Sequence, residues 1–131
     1  MIKSLAHVAL MASDGEQTQR FYTELLGFTE TSRLQVPGAG TLIFLALGDG
    51  ETQIELFSGG HPLGPDESPW GSHKVGYTHL CLLADDVRAE TARLKSLGVQ
   101  FLLECHDVAG LRVSFFPDPD GNVIELLQPL E

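Results

Sequence analysis

The sequence contains little cysteine and few basic residues, and both shortages exclude classes of protein. Its two cysteines, Cys81 and Cys105, are too few and too isolated for a disulfide framework, and they form no CxxC metal-binding pair. Lysine and arginine number 8 against 18 aspartates and glutamates, which gives a net charge of −10. Because nucleic acids and anionic membranes reward clusters of basic residues, neither is expected as a partner.

Long hydrophobic runs are also missing, although hydrophobic residues make up 43% of the 131 residues. No run approaches the length of a membrane span, and the first residues lack the pattern of a signal peptide. With two isolated thiols, this favours a soluble protein of the reducing cytoplasm. The length suits one domain, residues 1–131, with a real hydrophobic core.

The order of predicted elements occurs twice. In the first half, a strand at 5–12 precedes a helix that starts in a capping box at 13–16 and ends near Gly27. Strands follow at 41–47 and 52–58, whereas residues 28–36 are ambiguous. Residues 59–75 are rich in glycine and proline and predict a loop or linker.

The second half repeats this order. A strand at 76–83 precedes a helix capped by Asp85 or Asp86 and stopped by Gly98. Strands are predicted at 99–103, 111–116 and 122–128, with a type I turn at 118–121. The pattern indicates two βαβββ modules, at about 1–58 and 76–131.

Two histidines and two glutamates recur at matched positions in these modules. His7 and Glu55 are 48 residues apart, and His79 and Glu125 are 46 apart. Each interrupts an apolar strand, where a buried carboxylate is costly unless it is paired. Strand alternation places each of them opposite the apolar face that we assign to the helices. Two imidazoles and two carboxylates would suit Zn, Ni, Co, Mn or Fe(II), and disfavour Cu(I) and Ca.

These residues and the segments around them resemble the vicinal oxygen chelate superfamily, which includes glyoxalase I. The resemblance covers nearly the whole chain. It rests on the segments His7-Val8-Ala9-Leu10, Phe21-Tyr22, Leu25-Leu26-Gly27-Phe28, Ile54-Glu55-Leu56, His79 before an acid-capped helix, and Asp118-Pro119-Asp120-Gly121-Asn122-Val123-Ile124-Glu125-Leu126.

The resemblance implies an α+β fold in which two βαβββ modules form a cupped mixed sheet around a metal. His7, Glu55, His79 and Glu125 fall on the family's four ligand positions. Their order looks like that of the bacterial glyoxalase I enzymes activated by nickel or cobalt, although zinc, manganese and iron also fit the ligands. Such enzymes are commonly homodimers whose site takes two ligands from each chain.

The resemblance also implies a reaction. The metal would hold two adjacent substrate oxygens and stabilise an enediolate, while Glu125 or Glu55 moves a proton between neighbouring carbons. The implied substrate is a small molecule, either a thiol adduct of a 2-oxoaldehyde or an acyl thioester. For a lactoylglutathione lyase it would be the glutathione adduct of methylglyoxal.

Two positions depart from the glutathione-binding pattern. Met11 stands where glyoxalase I has an arginine, and Gly59 stands near the position of an asparagine. Other residues could contact substrate, although loop, surface or core roles are the ordinary reading for them: Arg20, Arg33, Lys74, Arg112, His61, His73, His106, Trp70 and Tyr77.

Three other functions stay open. An epimerase of the methylmalonyl-CoA type would also remove a proton beside a carbonyl. An extradiol-type dioxygenase needs two histidines and one carboxylate, so Glu55 as a fourth ligand argues against it. An antibiotic-binding protein without catalysis usually lacks the ligands, and this chain has all four.

Overall fold

The computed structural model describes residues 1–64 and 66–131, and the chain divides into two compact units, Met1–Pro62 and Leu63–Glu131. Each unit contains one four-stranded sheet and one helical segment. Unit 1 is built from β1 (His7–Met11), α1 (Gly15–Arg20) with a π-helical extension (Phe21–Leu25), β2 (Thr29–Val36), β3 (Gly40–Ala46) and β4 (Gln53–Phe57). Unit 2 is built from β5 (His79–Leu83), α2 (Val87–Ser96), β6 (Leu103–Val108), β7 (Leu111–Pro117) and β8 (Val123–Pro129).

The two sheets have the same topology. Their strand orders are β1-β4-β3-β2 and β5-β8-β7-β6. In each, the first strand runs parallel to the last, and the other neighbours are antiparallel. A parallel pair requires a crossover connection, which the helix begins and the two middle strands complete. The predicted α+β fold of two βαβββ modules is confirmed.

The helix of unit 1 begins one residue later than a capping box at Ser13 would require. Asp14 is the N-cap, and its carboxylate accepts a hydrogen bond of 3.2 Å from the amide of Gln17. The helix then widens into the π-helical turn, where Tyr22 is fully buried. Gly27 has φ of +84°, a left-handed conformation that glycine adopts without strain, and this ends the helix as predicted.

The helix of unit 2 is capped by Asp86, one of the two candidates. Its carboxylate accepts a hydrogen bond of 3.0 Å from the amide of Ala89. Val87, Thr91 and Leu94 form the buried stripe. Gly98 has φ of +95° and follows the last turn, so this predicted stop is also confirmed.

The strand predicted at 99–103 is wrong. The amide of Val99 still donates to the carbonyl of Leu94, so the chain there is completing the exit from the helix. The strand is β6, which begins at Leu103 and continues to Val108. Its sequence is polar and mostly exposed, so it carries no apolar alternation that would have marked it.

Other differences lie at strand ends. The ambiguous residues 28–36 contain the edge strand β2, whose polar sequence TETSRLQV gives little apolar signal. β1 and β5 begin at the two histidines, later than predicted. The turn at 118–121 is confirmed by a hydrogen bond from the amide of Gly121 to the carbonyl of Asp118.

On β4 and β8, the face opposite the glutamates is deeply buried: Ile54, Leu56, Ile124 and Leu126 are at most 6% exposed. The glutamate face of unit 2 is also largely covered, since Val113, Phe115 and Val123 are at most 9% exposed. In the described residues, neither helix is long and apolar enough to cross a membrane.

The helix cap in unit 2 provides a test of this assignment. Replacing Asp86 by alanine leaves the amide of Ala89 without its acceptor, so we expect the free energy of unfolding to fall by about 1 kcal/mol. Asp85→Ala, one residue earlier, removes the same charge but not the cap, and should change stability by less than half as much. Urea denaturation of the two variants measures both effects. Equal losses would contradict the assignment of Asp86 as the cap.

Candidate metal centre

In unit 1, His7 and Glu55 form a close pair. Parallel pairing aligns Ala9 with Glu55, so His7 lies one diagonal step from the carboxylate on the same face. The Nε2 atom of His7 is 3.3 Å from an oxygen of Glu55. The side chain of Glu55 is 12% exposed and that of His7 is 44% exposed. The carboxylate is therefore largely desolvated beside one imidazole.

In unit 2, His79 and Glu125 repeat this arrangement. Parallel pairing aligns Cys81 with Glu125, and the Nε2 atom of His79 is 3.0 Å from an oxygen of Glu125. The side chain of Glu125 is again 12% exposed, and that of His79 is 27% exposed. The matched geometry of the pairs follows from the matched strand register of the two units.

A phenylalanine ring contacts the histidine of each pair, and the sequence motifs did not indicate either phenylalanine. Phe44 is the cross-strand neighbour of Glu55, and its ring meets that of His7 edge-on with centroids 6.1 Å apart. Phe115 is the neighbour of Glu125, and its ring is perpendicular to that of His79 at 5.2 Å. Their spacings to the glutamates, 11 and 10 residues, could have indicated them. Each imidazole is thus held between a carboxylate and an aromatic ring.

Thr78 adds a second hydrogen-bonding partner for His79. Its hydroxyl oxygen is 2.8 Å from Nδ1 of the imidazole, while Nε2 faces Glu125. When Nε2 serves as a ligand atom, Nδ1 carries the proton and donates a hydrogen bond to this hydroxyl. Ala6 occupies the corresponding position before His7 and has no such group. The hydroxyl of Thr78 therefore orients only one of the two imidazoles.

Cys81 lies beside Glu125 but does not supply a thiolate. Burial of the thiol raises its pKa to about 11, and the adjacent Glu125 carboxylate, which accepts its hydrogen bond, adds to the rise. The thiol is therefore protonated at neutral pH. A nucleophilic role for Cys81 is disfavoured, because the thiolate is the reactive form.

The donors fit a divalent cation. An ion about 2.0–2.2 Å from an imidazole nitrogen and a carboxylate oxygen holds neighbouring ligand atoms about 3 Å apart, close to the separation in both pairs. Within the described part of either unit, no three His, Cys, Asp or Glu side chains lie together as a metal site. Each unit thus presents two ligands, fewer than the three or four of usual protein sites.

The comparisons with known proteins identify the family. A model of the Glyoxalase/Bleomycin resistance protein/Dioxygenase superfamily matches residues 4–126. The chain belongs to this superfamily. The resemblance drawn from the sequence is therefore confirmed, and the fold agrees with it.

Proteins similar to this chain have diverse names. The chain is 32% identical over 128 residues to YaeR of Escherichia coli, an uncharacterised protein, with 97% of each chain covered. It is 28% identical to a probable lactoylglutathione lyase of Vibrio parahaemolyticus, covering 95% of this chain and 89% of that protein. Human mitochondrial methylmalonyl-CoA epimerase is 31% identical, with 95% of this chain and 73% of the epimerase covered.

Among solved structures, TnmS3, an antibiotic binding protein from Streptomyces sp. CB03234, aligns with a TM-score of 0.77 and 31% identity over 98% of this chain and 97% of that one. Proteins similar to this chain thus include a probable lyase, an epimerase and an antibiotic binding protein. The family alone does not select among these activities.

Two candidate cationic contacts are engaged elsewhere. Arg33 pairs with Glu16 and Glu30 on the helix side of its sheet, and Arg112 pairs with Asp107. In the strand registers, neither arginine shares a face with the His–Glu pair of its unit. Neither arginine is therefore placed to contact a substrate bound at the His–Glu pair of its unit. The other cations, Arg20 and Lys74, are exposed.

Of the three remaining histidines, two lie outside the strands and one lies in β6. His61 and His73 are exposed in the segment between β4 and β5. His106, expected in a loop, is instead within β6, opposite Val113.

The two departures from the glutathione-binding pattern lie at one corner of unit 1. A Cβ atom added to Gly60 would lie 2.3 Å from Cγ of Met11, so the methionine packs directly on that glycine. Gly59 has φ of +89°, which favours glycine. This corner presents a thioether and bare backbone where an arginine and an asparagine would present polar groups.

The hydrogen bond between Nδ1 of His79 and the Thr78 hydroxyl should affect the affinity for metal. Thr78→Val removes the partner of Nδ1 at nearly constant volume, and we expect the affinity for Co²⁺ or Zn²⁺ to fall about tenfold or more. Thr78→Ser retains the hydroxyl and should keep affinity near the original value. Competition with a chromophoric chelator gives both constants. Equal affinities for the valine and serine variants would show that the hydroxyl does not orient His79.

Proposed function

We propose that the protein is a metal-dependent lyase or isomerase of the glyoxalase type, which moves a proton between carbons beside a carbonyl. The observation that carries this proposal is the repeated His–Glu pair, at 3.3 Å in unit 1 and 3.0 Å in unit 2. Glyoxalase-superfamily membership and similarity to a named lyase and a named epimerase support it.

His7, Glu55, His79 and Glu125 are the proposed metal ligands. Nickel, cobalt or zinc suits two imidazoles and two carboxylates best, and manganese and iron are compatible. A divalent ion held there would act as a Lewis acid toward two adjacent oxygens of the substrate. A phenylalanine ring meets each imidazole edge-on, at 6.1 Å in unit 1 and 5.2 Å in unit 2, and each Nε2 atom faces a glutamate oxygen.

Glu125 and Glu55 are the proposed proton carriers. Each carboxylate is 12% exposed and borders an aromatic ring, so little water competes for its oxygens. A carboxylate in such a position can accept a proton from one carbon and return it to the neighbour. The Cys81 thiol donates a hydrogen bond to Glu125. This contact distinguishes Glu125 from Glu55.

We further propose a homodimer in which each site takes ligands from two copies of the chain. β1 and β5 are edge strands, and they or the residues just before them expose large apolar side chains. These are Leu5 at 63%, Met11 at 55%, Tyr77 at 100% and Leu83 at 74% exposed. Edge strands with apolar side chains are surfaces that proteins normally cover.

The proposed substrate is a small molecule of the cytoplasm, either a thiol adduct of a 2-oxoaldehyde or an acyl thioester. Similarity to methylmalonyl-CoA epimerase favours the thioester as the second candidate, with the same proton chemistry. Similarity to TnmS3 favours a non-catalytic binding protein as a further alternative. A panel of hemithioacetals, acyl-CoA thioesters and catechols on nickel-, zinc- and iron-loaded protein separates them.

Metal content tests the ligand set. Protein purified without chelator should contain about one divalent ion per proposed site, and His79→Ala should lose most of it, because one of the two imidazole ligands is gone. Glu125→Gln should likewise lower metal content, whereas Glu24→Gln, a surface carboxylate outside the sheets, should not. Plasma mass spectrometry measures the ratio. The proposal fails if the original protein binds no Ni²⁺, Co²⁺, Zn²⁺ or Mn²⁺.

Mixing two inactive variants tests whether ligands are shared between chains. His7→Ala and His79→Ala each disable both sites of a dimer that takes His7 from one chain and His79 from the other. After unfolding and refolding together, about half of the dimers should be mixed, and each mixed dimer has one intact site. Metal content and turnover should therefore recover to about a quarter of the original. No recovery would show that each site forms within one chain.

A further inference from the structure

Trp70 lies against the His–Glu face of unit 2. Its ring is 4.6 Å from that of Phe115 and 6.1 Å from that of His79, measured between centroids. It is partly buried against the cluster of Val113, Phe115 and Val123. Trp70, the only tryptophan in the sequence, therefore lies beside a proposed metal ligand.

The sheet face beneath Trp70 is almost entirely apolar. In the strand registers, His79, Cys81 and Glu125 are the polar members on β5, β7 and β8. The other members on these strands are all apolar: Leu83, Val123, Leu127, Pro129, Leu111, Val113, Phe115 and Pro117. His106 shares this face on the far edge strand, two strands away from Glu125. Val113, Phe115 and Val123 are buried with Trp70 packed against them, so a ligand group beside the His79–Glu125 pair would meet the indole rather than these side chains.

Basic residues of the unit 2 strands and helix lie on the other side of the sheet. Arg88 and Arg112 line a cavity of about 450 Å³ next to the start of α2, together with Asp85 and Asp86. Arg112 is further held by two hydrogen bonds to Asp107. On the His–Glu face, β5, β7 and β8 carry no lysine or arginine. A carboxylate or phosphate on the ligand would find no fixed cation of these strands there.

The His–Glu face of unit 1 also carries an apolar side chain, that of Met11. Met11, on the same face as His7, packs on Gly60. An apolar thioether, rather than a charged group, therefore lies on this face beside β4. Burying an unpaired charge beside either surface would be costly.

We propose that Trp70 determines substrate specificity: its indole is a wall of the ligand site beside His79 and Glu125, and it selects substrates that carry an uncharged alkyl or aryl group next to the reacting carbonyl. This inference rests on the proposed function and narrows its substrate class. Aromatic rings attract an aryl group through edge-to-face or offset contacts, and the apolar surface disfavours a carboxylate.

Hydroxamates test this because they bind divalent metals through two adjacent oxygens, as the proposed substrates would. The probes are benzohydroxamic acid, acetohydroxamic acid and succinic monohydroxamic acid, which carry an aryl, a methyl and a carboxylate-bearing group. Their dissociation constants on Co²⁺-loaded full-length protein are measured from the visible absorption of the bound ion. In the original protein, the emission of Trp70 gives a second, independent signal.

The aryl probe should bind about tenfold or more tightly than the carboxylate-bearing one. Trp70→Ala should weaken the aryl probe about five- to tenfold and leave acetohydroxamic acid within about twofold. Trp70→Phe preserves packing on Phe115 and should keep most of the aryl preference. Trp70→Leu preserves bulk without the ring and should lose it, so the comparison holds even if the alanine variant unfolds.

The outcomes separate this inference from the proposed function. If Co²⁺ binds and acetohydroxamic acid perturbs its spectrum, but the four Trp70 forms rank the three probes alike, Trp70 does not determine specificity while the metal site stands. Equal affinity for the aryl and carboxylate-bearing probes in the original protein overturns the inference in the same way. If Co²⁺ does not bind at all, the metal site has failed and this inference falls with it.

Discussion

The parallel pairing of the first and last strands in each unit is the constraint on which both His–Glu pairs depend. It sets Ala9 opposite Glu55 and Cys81 opposite Glu125, so that a histidine two residues earlier reaches the carboxylate diagonally. A slip of one residue would turn the glutamate toward the helix-covered face. An unpaired carboxylate is costly there. The buried apolar residues of β4 and β8 therefore hold the register, and the register brings the donor atoms together.

The two units share this frame but differ in what surrounds the imidazole. His79 has a hydroxyl partner in Thr78 and an indole neighbour in Trp70, whereas Ala6 precedes His7. Unit 2 thus holds its ligand in one orientation and covers it with aromatic surface, while His7 is more exposed. We interpret unit 2 as the half that recognises the substrate group. We therefore propose that the repeated strands supply the metal ligands, and that Thr78 and Trp70, which have no counterpart in unit 1, supply specificity.

Much of the fold could be predicted from the sequence because its signals are local. The apolar runs around His7 and His79, Gly27 and Gly98 after the helices, and the turn at 118–121 each act within a few residues. The polar edge strands β2 and β6 carried no such signal, and β6 was misplaced. Phe44, Phe115 and Thr78 gained their roles from strand register and side-chain geometry, which sequence spacing alone did not specify. The sequence indicates Trp70 as a candidate pocket residue. Its packing on Phe115 joins residues 45 positions apart, which local sequence patterns do not specify.

We propose that His7, Glu55, His79 and Glu125 are ligands of one divalent ion. Anomalous diffraction from crystals of cobalt-loaded protein, collected on both sides of the cobalt absorption edge, can locate that ion. We expect one strong anomalous peak about 2.1 Å from Nε2 of His7 and Nε2 of His79, with an oxygen of each glutamate at a similar distance. The claim would be contradicted by a peak held by other residues, or by a peak held by only one of the two His–Glu pairs.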